Sequence, residues 1–303
     1  MKMIQFELWK QCSNNCEFCW NKPHVFYNNS AQKIDRLHNA LEEISSLDYN
    51  EYDVVGLIGG EFFEGQLSDP CVLSYFLILI ENIAKLLACD KLKQCFITIS
   101  FLKKDFLYLD LVVNRFKQFN CLDKVLWCTS YDEKGRFHTE EQKQIWFKNL
   151  EEMQKIGLKI HVEMIVTQAL IESLLNNTLK LDLFFNKDIQ IDFLRPQTIE
   201  GKTKEEMIKE MPYFFPSRNS FLKFLSFINN KYPEKLKDLF SLENRARKIF
   251  MADETVVIRN PNNYIENIEK DSIISCGHSE VFCGYSDTDD CMICDINKFK
   301  QSL

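Results

Sequence analysis

The sequence predicts an α/β fold built on a parallel sheet, and three observations predict it. Short β-type runs alternate with longer helical ones through residues 1–200. The β-type runs are brief, apolar or β-branched, and bounded by polar residues or glycine. The runs between them repeat their apolar residues at helical spacing. Six strands alternating with five helices imply right-handed crossovers. The sheet is then either open and doubly wound or curled into a partial barrel, and periodicity leaves both open. In either case ligands gather at the C-terminal ends of the strands.

The strand candidates are 4–9, 53–58, 95–101, 124–130, 159–167 and 189–194, and the helix candidates between them are 34–46, 71–88, 105–119, 140–156 and 170–179. In the first helix Ile34, Leu37, Leu41 and Ile44 fall on helical spacing, and Gly157 is a stop for the fourth. The most apolar run starts near Val72 and is cut by Glu81 and Lys85. It reads as too short and interrupted to span a bilayer and is expected to be a buried helix. From Gly201 the alternation stops. Helices at 214–232 and 233–250, a short strand at 255–259 and an Asn-rich turn at 260–263 follow. The stretch from Cys276 is rich in Gly, Ser, Asp and Cys. With so little apolar content it cannot bury a core of its own, and a bound metal would explain how it folds.

The chain has 303 residues, 46% hydrophobic and 27% charged, enough for one large domain or a large and a small one. A net charge of -7 and a pI of about 5.4 argue against a broad basic surface and tight unspecific nucleic-acid binding. The opening MKMIQFELWKQC lacks the apolar stretch of a signal peptide, so a cytoplasmic location is expected. Twelve cysteines then need a use other than disulfides. Cys12, Cys16 and Cys19 lie close together, as do Cys276, Cys283, Cys291 and Cys294. Cys71, Cys89, Cys95, Cys121 and Cys128 are scattered among apolar residues and are expected to be small buried hydrophobes.

Cys12-Ser-Asn-Asn-Cys16-Glu-Phe-Cys19 directly follows the first strand. Three thiolates can hold three irons of a [4Fe–4S] cube, which normally takes four cysteines, so one iron is left open to an outside donor. A zinc site borrowing a distant fourth ligand fits the spacing too. Gly59-Gly60-Glu61 ends the second strand. Two glycines let a ligand approach the backbone, and Glu61 places a carboxylate beside the cysteine loop, suited to a cationic amino group. A plain strand-to-helix turn reads the same way.

Together these residues resemble the radical S-adenosylmethionine (SAM) superfamily, whose signature is CxxxCxxC after the first strand, an aromatic before the third cysteine, and GGE ending the second strand. The resemblance covers residues 1–200 and implies a radical SAM core domain there, folded as a partial (β/α)6 barrel. Residues 201–303 would form a helical linker and a small C-terminal metal-binding cap. It implies that Phe18 lies close to the adenine, and that Gly59, Gly60 and Glu61 bind the methionine amino group. Phe62 stands where the family often has proline. Thr129-Ser130-Tyr131-Asp132 is similar to the S-x-D segment of members with auxiliary clusters, in which the serine, here Ser130, contacts SAM. Ser100, Thr167 and Arg195 are positional candidates at strand ends, and Arg136 is a candidate partner for the SAM carboxylate.

The C-terminal cysteines look like a one-cluster, twitch-like cap rather than a full SPASM domain. A second [4Fe–4S] cluster is expected at Cys276, Cys283, Cys291 and Cys294, with zinc as the alternative and His278 as a replacement ligand. Gly277 and Gly284 permit the tight turns. The resemblance implies an oxygen-sensitive enzyme that cleaves SAM to a 5′-deoxyadenosyl radical. It implies a reductant such as flavodoxin or ferredoxin, a peptide, protein or small-molecule substrate, and no membrane partner. A radical SAM enzyme acting on a nucleotide or RNA is the alternative, disfavoured by the acidic pI. A non-catalytic iron–sulfur or zinc-binding protein would have no need of the GGE motif.

Overall fold

The structure, a computed structural model, describes residues 2–19, 29–102, 104–185, 189–198, 202–236, 239, 247–252, 256–259, 285–287 and 292–303. Strands and helices alternate as the sequence predicts: β1 (Lys2–Glu7), α1 (Ser30–Ser45), β2 (Tyr52–Ile58), α2 (Pro70–Ala88), β3 (Gln94–Thr98), α3 (Leu109–Gln118), β4 (Val125–Tyr131), α4 (Glu140–Lys155), β5 (Lys159–Ile165), α5 (Gln168–Leu175), the single turn α6 (Asp182–Phe185) and β6 (Gln190–Leu194). Helix starts are set by side-chain caps. Asn29 and Gln32 form a capping box on α1, Thr139 caps α4 and Thr167 caps α5. Strand β3 stops at Thr98 rather than 101, and Phe101 beyond it takes φ +59.

The strand order is β6-β5-β4-β3-β2-β1, every neighbouring pair parallel. One face carries Ile4, Phe6, Val55, Leu57, Ile97, Trp127, Val162 and Phe193 into the large core under the helices. The alternate positions differ. Met3, Val54, Phe96, Leu126 and Cys128 form a separate small cluster. Beyond it toward the C-terminal strand ends, Gln5, Thr98, Ser130, Glu163 and Asp192 occupy the same side. A doubly wound sheet is apolar on both faces. The polar face therefore decides between the two architectures, and the fold is an open parallel α/β sheet curled as a partial barrel.

One expectation is corrected beyond residue 200. After α7 (Lys204–Glu210) and α8 (Arg218–Lys231), the run 233–250 is not one helix: among its described residues α9 (Pro233–Leu236) is helical and β7 (Arg247–Phe250) is a strand. β7 adds a seventh parallel strand beside β1, with Met3 opposite Arg247 and Phe6 opposite Phe250. The Phe6 and Phe250 rings stack at 5.2 Å. The open edge of β1 captures a four-residue run too short for periodicity to classify. β8 (Val256–Arg259) pairs antiparallel with β7, and a C-terminal helix spans Met292–Gln301.

Helix α2 is long and apolar enough, by length and composition, to cross a bilayer, so the expectation that it is too short is also corrected. What marks it as a core helix is packing. Val72, Phe76, Leu79, Ile80, Ile83, Ala84 and Leu87 are fully buried, and each of the larger ones contributes about 1.5–3 kcal/mol. Of the five scattered cysteines, Cys95, Cys121 and Cys128 are buried as expected, whereas Cys71 and Cys89, at the two ends of α2, are exposed.

Candidate functional site

The loop leaving β1 carries Cys12, Cys16 and Cys19, all half-buried free thiols. It is bonded to the glycine turn after β2: Gly60 N–H donates to Trp9 O (2.8 Å) and Glu61 N–H to Gln11 O (2.9 Å). The glycines are needed for this approach. Gly59 has φ +149, and a Cβ on either glycine would overlap the carbonyl oxygen of Trp9 or Gln11. The cysteine loop's own backbone comes close to the glycines, and the two sequence motifs form a single structural unit.

Side chains from outside hold the rest of the loop. Glu64 accepts from Ser13 N–H (2.9 Å) and from the Ser13 hydroxyl. His138 Nε2 lies 3.3 Å from Asn14 O and 3.1 Å from Asn15 O, which makes Nε2 the protonated nitrogen. Glu17 N–H donates to Gly135 O (2.8 Å), and the Tyr213 hydroxyl donates to Glu17 Oε2. Burial and the Glu17 carboxylate hold the Tyr213 phenol well above its usual range, so it remains a donor. Asn15 takes φ +51, which asparagine tolerates.

Burial pushes the Cys12 thiol up to about 12, with smaller contributions from Glu61 and Glu64, although Asn14 N–H opposes this. Burial also raises Cys16, with Arg136 opposing and Asp132 adding to the rise. Thiols in such a place stay protonated until a cation binds.

Glu61 is fully buried, and burial raises its carboxyl. Its two oxygens accept from Phe63 N–H (3.2 Å) and Ser100 N–H (2.8 Å), pinning the end of β2 to the end of β3. Backbone donors thus hold both oxygens of this carboxylate at the strand ends. Ser100 in turn accepts at its carbonyl from Arg136 Nη2 (2.6 Å), and Ser130 Oγ accepts from Arg136 Nη1 (2.6 Å). Arg136 is 5% exposed, and its Nε has no hydrogen-bond partner among the described residues. Asp132 is buried, accepting from Gly135 N–H and from the Thr167 hydroxyl (3.0 Å), and burial raises its carboxyl. Phe18 packs against the small cluster Met207, Met211, Phe214 and Phe215. Arg195 is buried just after β6.

The structure thus brings Cys12, Cys16, Cys19, Phe18, Gly59, Gly60, Glu61, Ser100, Ser130, Asp132, Arg136 and Thr167 to the C-terminal ends of β1 to β5. Cys276, Cys283, Cys291, Gly277, His278 and Gly284 lie outside the described residues. Cys294 falls in the C-terminal helix, with its side chain outside them.

Sequence reasoning missed the tethers Glu64, His138 and Tyr213, which no local pattern marks. It also missed a polar row on the concave face. His161 is fully buried, with Nδ1 3.6 Å from Cys128 Sγ and Nε2 2.8 Å from Asp192 Oδ2. That second contact is close, while its direction leaves both atoms without a hydrogen bond among the described residues. The signal was present in β5, KIHVEMI, where His161 and Glu163 alternate with apolar residues.

Fold and site together define a partial-barrel α/β protein with a three-thiol loop anchored at the C-terminal strand ends. No protein-family model matches the chain, and no curated protein does. Among solved structures it is similar to anSMEcpe, an anaerobic sulfatase-maturating radical SAM enzyme, with bound AdoMet and Kp18Cys peptide: 12% identity over 98% of this chain and 94% of that one, TM-score 0.52. Two other anSMEcpe structures, one with AdoMet and Cp18Cys peptide and one with AdoMet, match at 15% identity over 82% of this chain, with TM-scores of 0.48 and 0.49. The chain spans 63% and 64% of their lengths. At 12% identity the first of these likenesses establishes the fold alone.

Proposed function

We propose that the chain is a cytoplasmic radical SAM enzyme whose Cys12, Cys16 and Cys19 hold a [4Fe–4S] cluster. The observation that carries this is the bonded union of the cysteine loop with the Gly59-Gly60-Glu61 turn at the strand ends of a partial barrel. The donor set fits the cluster. Cys12, Cys16 and Cys19 are half-buried free thiols on one loop. A cube takes one thiolate per iron, on separate corners.

With cluster and SAM bound, the site would supply reductive cleavage of the sulfonium to a 5′-deoxyadenosyl radical that takes a hydrogen atom from the substrate. The protein's own residues bind, orient and exclude water. Phe18, backed by Met207, Met211, Phe214 and Phe215, offers an apolar wall for the adenine. Arg136 offers its unpartnered Nε–H to the SAM carboxylate, with Ser130 beside it. Glu61 fixes the turn and, with the Gly59 and Gly60 backbone, borders the amino group. The concave face, lined by Ser130, Glu163 and Asp192, is the chamber for a peptide, protein side chain or small molecule. Cys276, Cys283, Cys291 and Cys294 would hold a second [4Fe–4S] cluster or zinc, and a flavodoxin or ferredoxin would deliver the electron.

Anaerobically reconstituted protein is expected to be brown, to bleach with dithionite, and to convert SAM to 5′-deoxyadenosine and methionine. Replacing Cys12, Cys16 and Cys19 together by alanine should abolish that conversion while the far-UV spectrum survives. Undiminished conversion in the triple variant would overturn the reading.

A further inference from the structure

Between the partial barrel and the C-terminal cysteines lies a run of six residues, 213–218, that touches both ends of the molecule. At one end Tyr213 donates to Glu17, inside the cysteine loop, and the adjoining Phe214 and Phe215 belong to the cluster that Phe18 packs against. At the other end, Pro216 O accepts from Ser286 N–H (3.1 Å), and Arg218 N–H donates to Asp287 Oδ1 (3.2 Å). The Arg218 guanidinium grips Asp295 with two bonds, Nε to Oδ2 (2.7 Å) and Nη2 to Oδ1 (2.6 Å). Asp295 is 2% exposed and also accepts from the buried Tyr285 hydroxyl (2.7 Å). The run itself is fixed to the barrel: Ala169 N–H donates to Tyr213 O (3.2 Å) and Ser217 N–H to Gln168 Oε1 (3.1 Å).

We infer that residues 213–218 are a strap through which the docked C-terminal segment holds the N-terminal cysteine loop in place, with Tyr213 and Arg218 as its positioning residues. The physical reason is the shortness of the path. A bidentate arginine–carboxylate pair, with the carboxylate buried and the arginine side chain 34% exposed, fixes one end in position and direction. Five residues before that arginine, the Tyr213 hydroxyl fixes Glu17 between Cys16 and Cys19. Pro216, with its restricted backbone, lies between the two ends. The same run backs Phe18, so the docked C-terminus also shapes the wall proposed for the adenine; in that respect the inference rests on the radical SAM reading. The coupling itself does not, because every contact in it is between protein atoms.

Hydrogen exchange of the purified full chain, read peptide by peptide, tests it without cluster, SAM or turnover. Arg218→Gln should speed exchange in residues 285–301 and also in residues 12–19, by about tenfold in the loop, while peptides from β3 and β4 stay as in wild type. Tyr213→Phe cuts the strap at the loop end only, so residues 12–19 should loosen while 285–301 stay protected. Glu17→Gln keeps a carbonyl to accept from Tyr213 and should match wild type. Loop exchange that stays at the wild-type rate in Tyr213→Phe overturns the strap, and so does an Arg218→Gln chain that loosens only at 285–301. Should Arg218→Gln fail to fold, Tyr213→Phe against Glu17→Gln decides alone. SAM cleavage, measured separately, tests the function.

Discussion

At the scale of single residues, Glu61 has the most exposed consequences for stability. It is a fully buried carboxylate serving two backbone donors, and its substitution leaves at least one of them unsatisfied. Glu61→Gln turns an NH2 group toward one of the two N–H groups and should cost about 1–3 kcal/mol of unfolding free energy in a denaturant titration. The pH dependence has a definite sign. Burial raises the carboxyl in the folded chain, so between the unfolded value, about 4.3, and the higher folded one, the native state holds the proton that the unfolded state releases. That contribution to stability is complete below the unfolded value and is lost as pH rises through the folded one. Wild type should therefore lose stability over that window while Glu61→Gln does not, and the gap between them should narrow. A gap that widens with pH would contradict the burial. The residue itself was legible in the sequence, as the glutamate of a GGE motif at a strand end. Its partners were not, because Ser100 N–H lies 39 positions away and only the pairing of β2 with β3 brings it near.

At the scale of elements, α5 shows how a helix cap and a site can share one hydroxyl. Thr167 Oγ1 accepts from Leu170 N–H (3.1 Å) and donates to Asp132 Oδ1 (3.0 Å). Thr167→Val keeps the shape and loses both bonds. It should cost about 0.5–2 kcal/mol through the cap, whereas Thr167→Ser should retain most of it; equal unfolding midpoints for the two variants would refute the double role. The strands and helices of residues 1–200 were readable because each has a clear period and a bounded length. Where the period is present but the run is short, tertiary pairing decides. Residues 247–250 have too few positions to declare a period, and it is the free edge of β1 that makes them a strand. Phe214 and Phe215 were read into α8, but they lie before its start at Arg218, packed against Phe18's cluster.

At the scale of the whole molecule, the partial barrel is closed on one side by a strand from much later in the chain. A chain stopped at residue 236 would retain β1 through β6 but leave β1 as an unpaired edge with Phe6 stripped of its stacking partner. It should self-associate at micromolar concentration in light scattering, whereas the full chain should not; a monomeric truncated chain with an undiminished unfolding midpoint would show that β7 is dispensable. The choice between partial barrel and doubly wound sheet was written in the alternation of β5 and its neighbours, but reading it required knowing which positions share a face across the sheet. The C-terminal cysteines were conspicuous in sequence, while the Arg218, Tyr285 and Asp295 contacts that dock their flanks join residues up to 77 positions apart.

The pairing of β1 with β7 also sets a timetable. Synthesis runs from the N-terminus, so β1 and the three thiols after it leave the ribosome before the rest of the sheet. β2 follows within some tens of residues, yet the second neighbour of β1 arrives only when the chain has reached Phe250. Until then the strand that carries the cysteine loop has one naked flank, open to other nascent chains, and Tyr213 too arrives late. The loop made first is thus among the last parts of the molecule to acquire its final shape, and slow, dilute expression should favour the native product over aggregates by lengthening the interval before two such flanks meet.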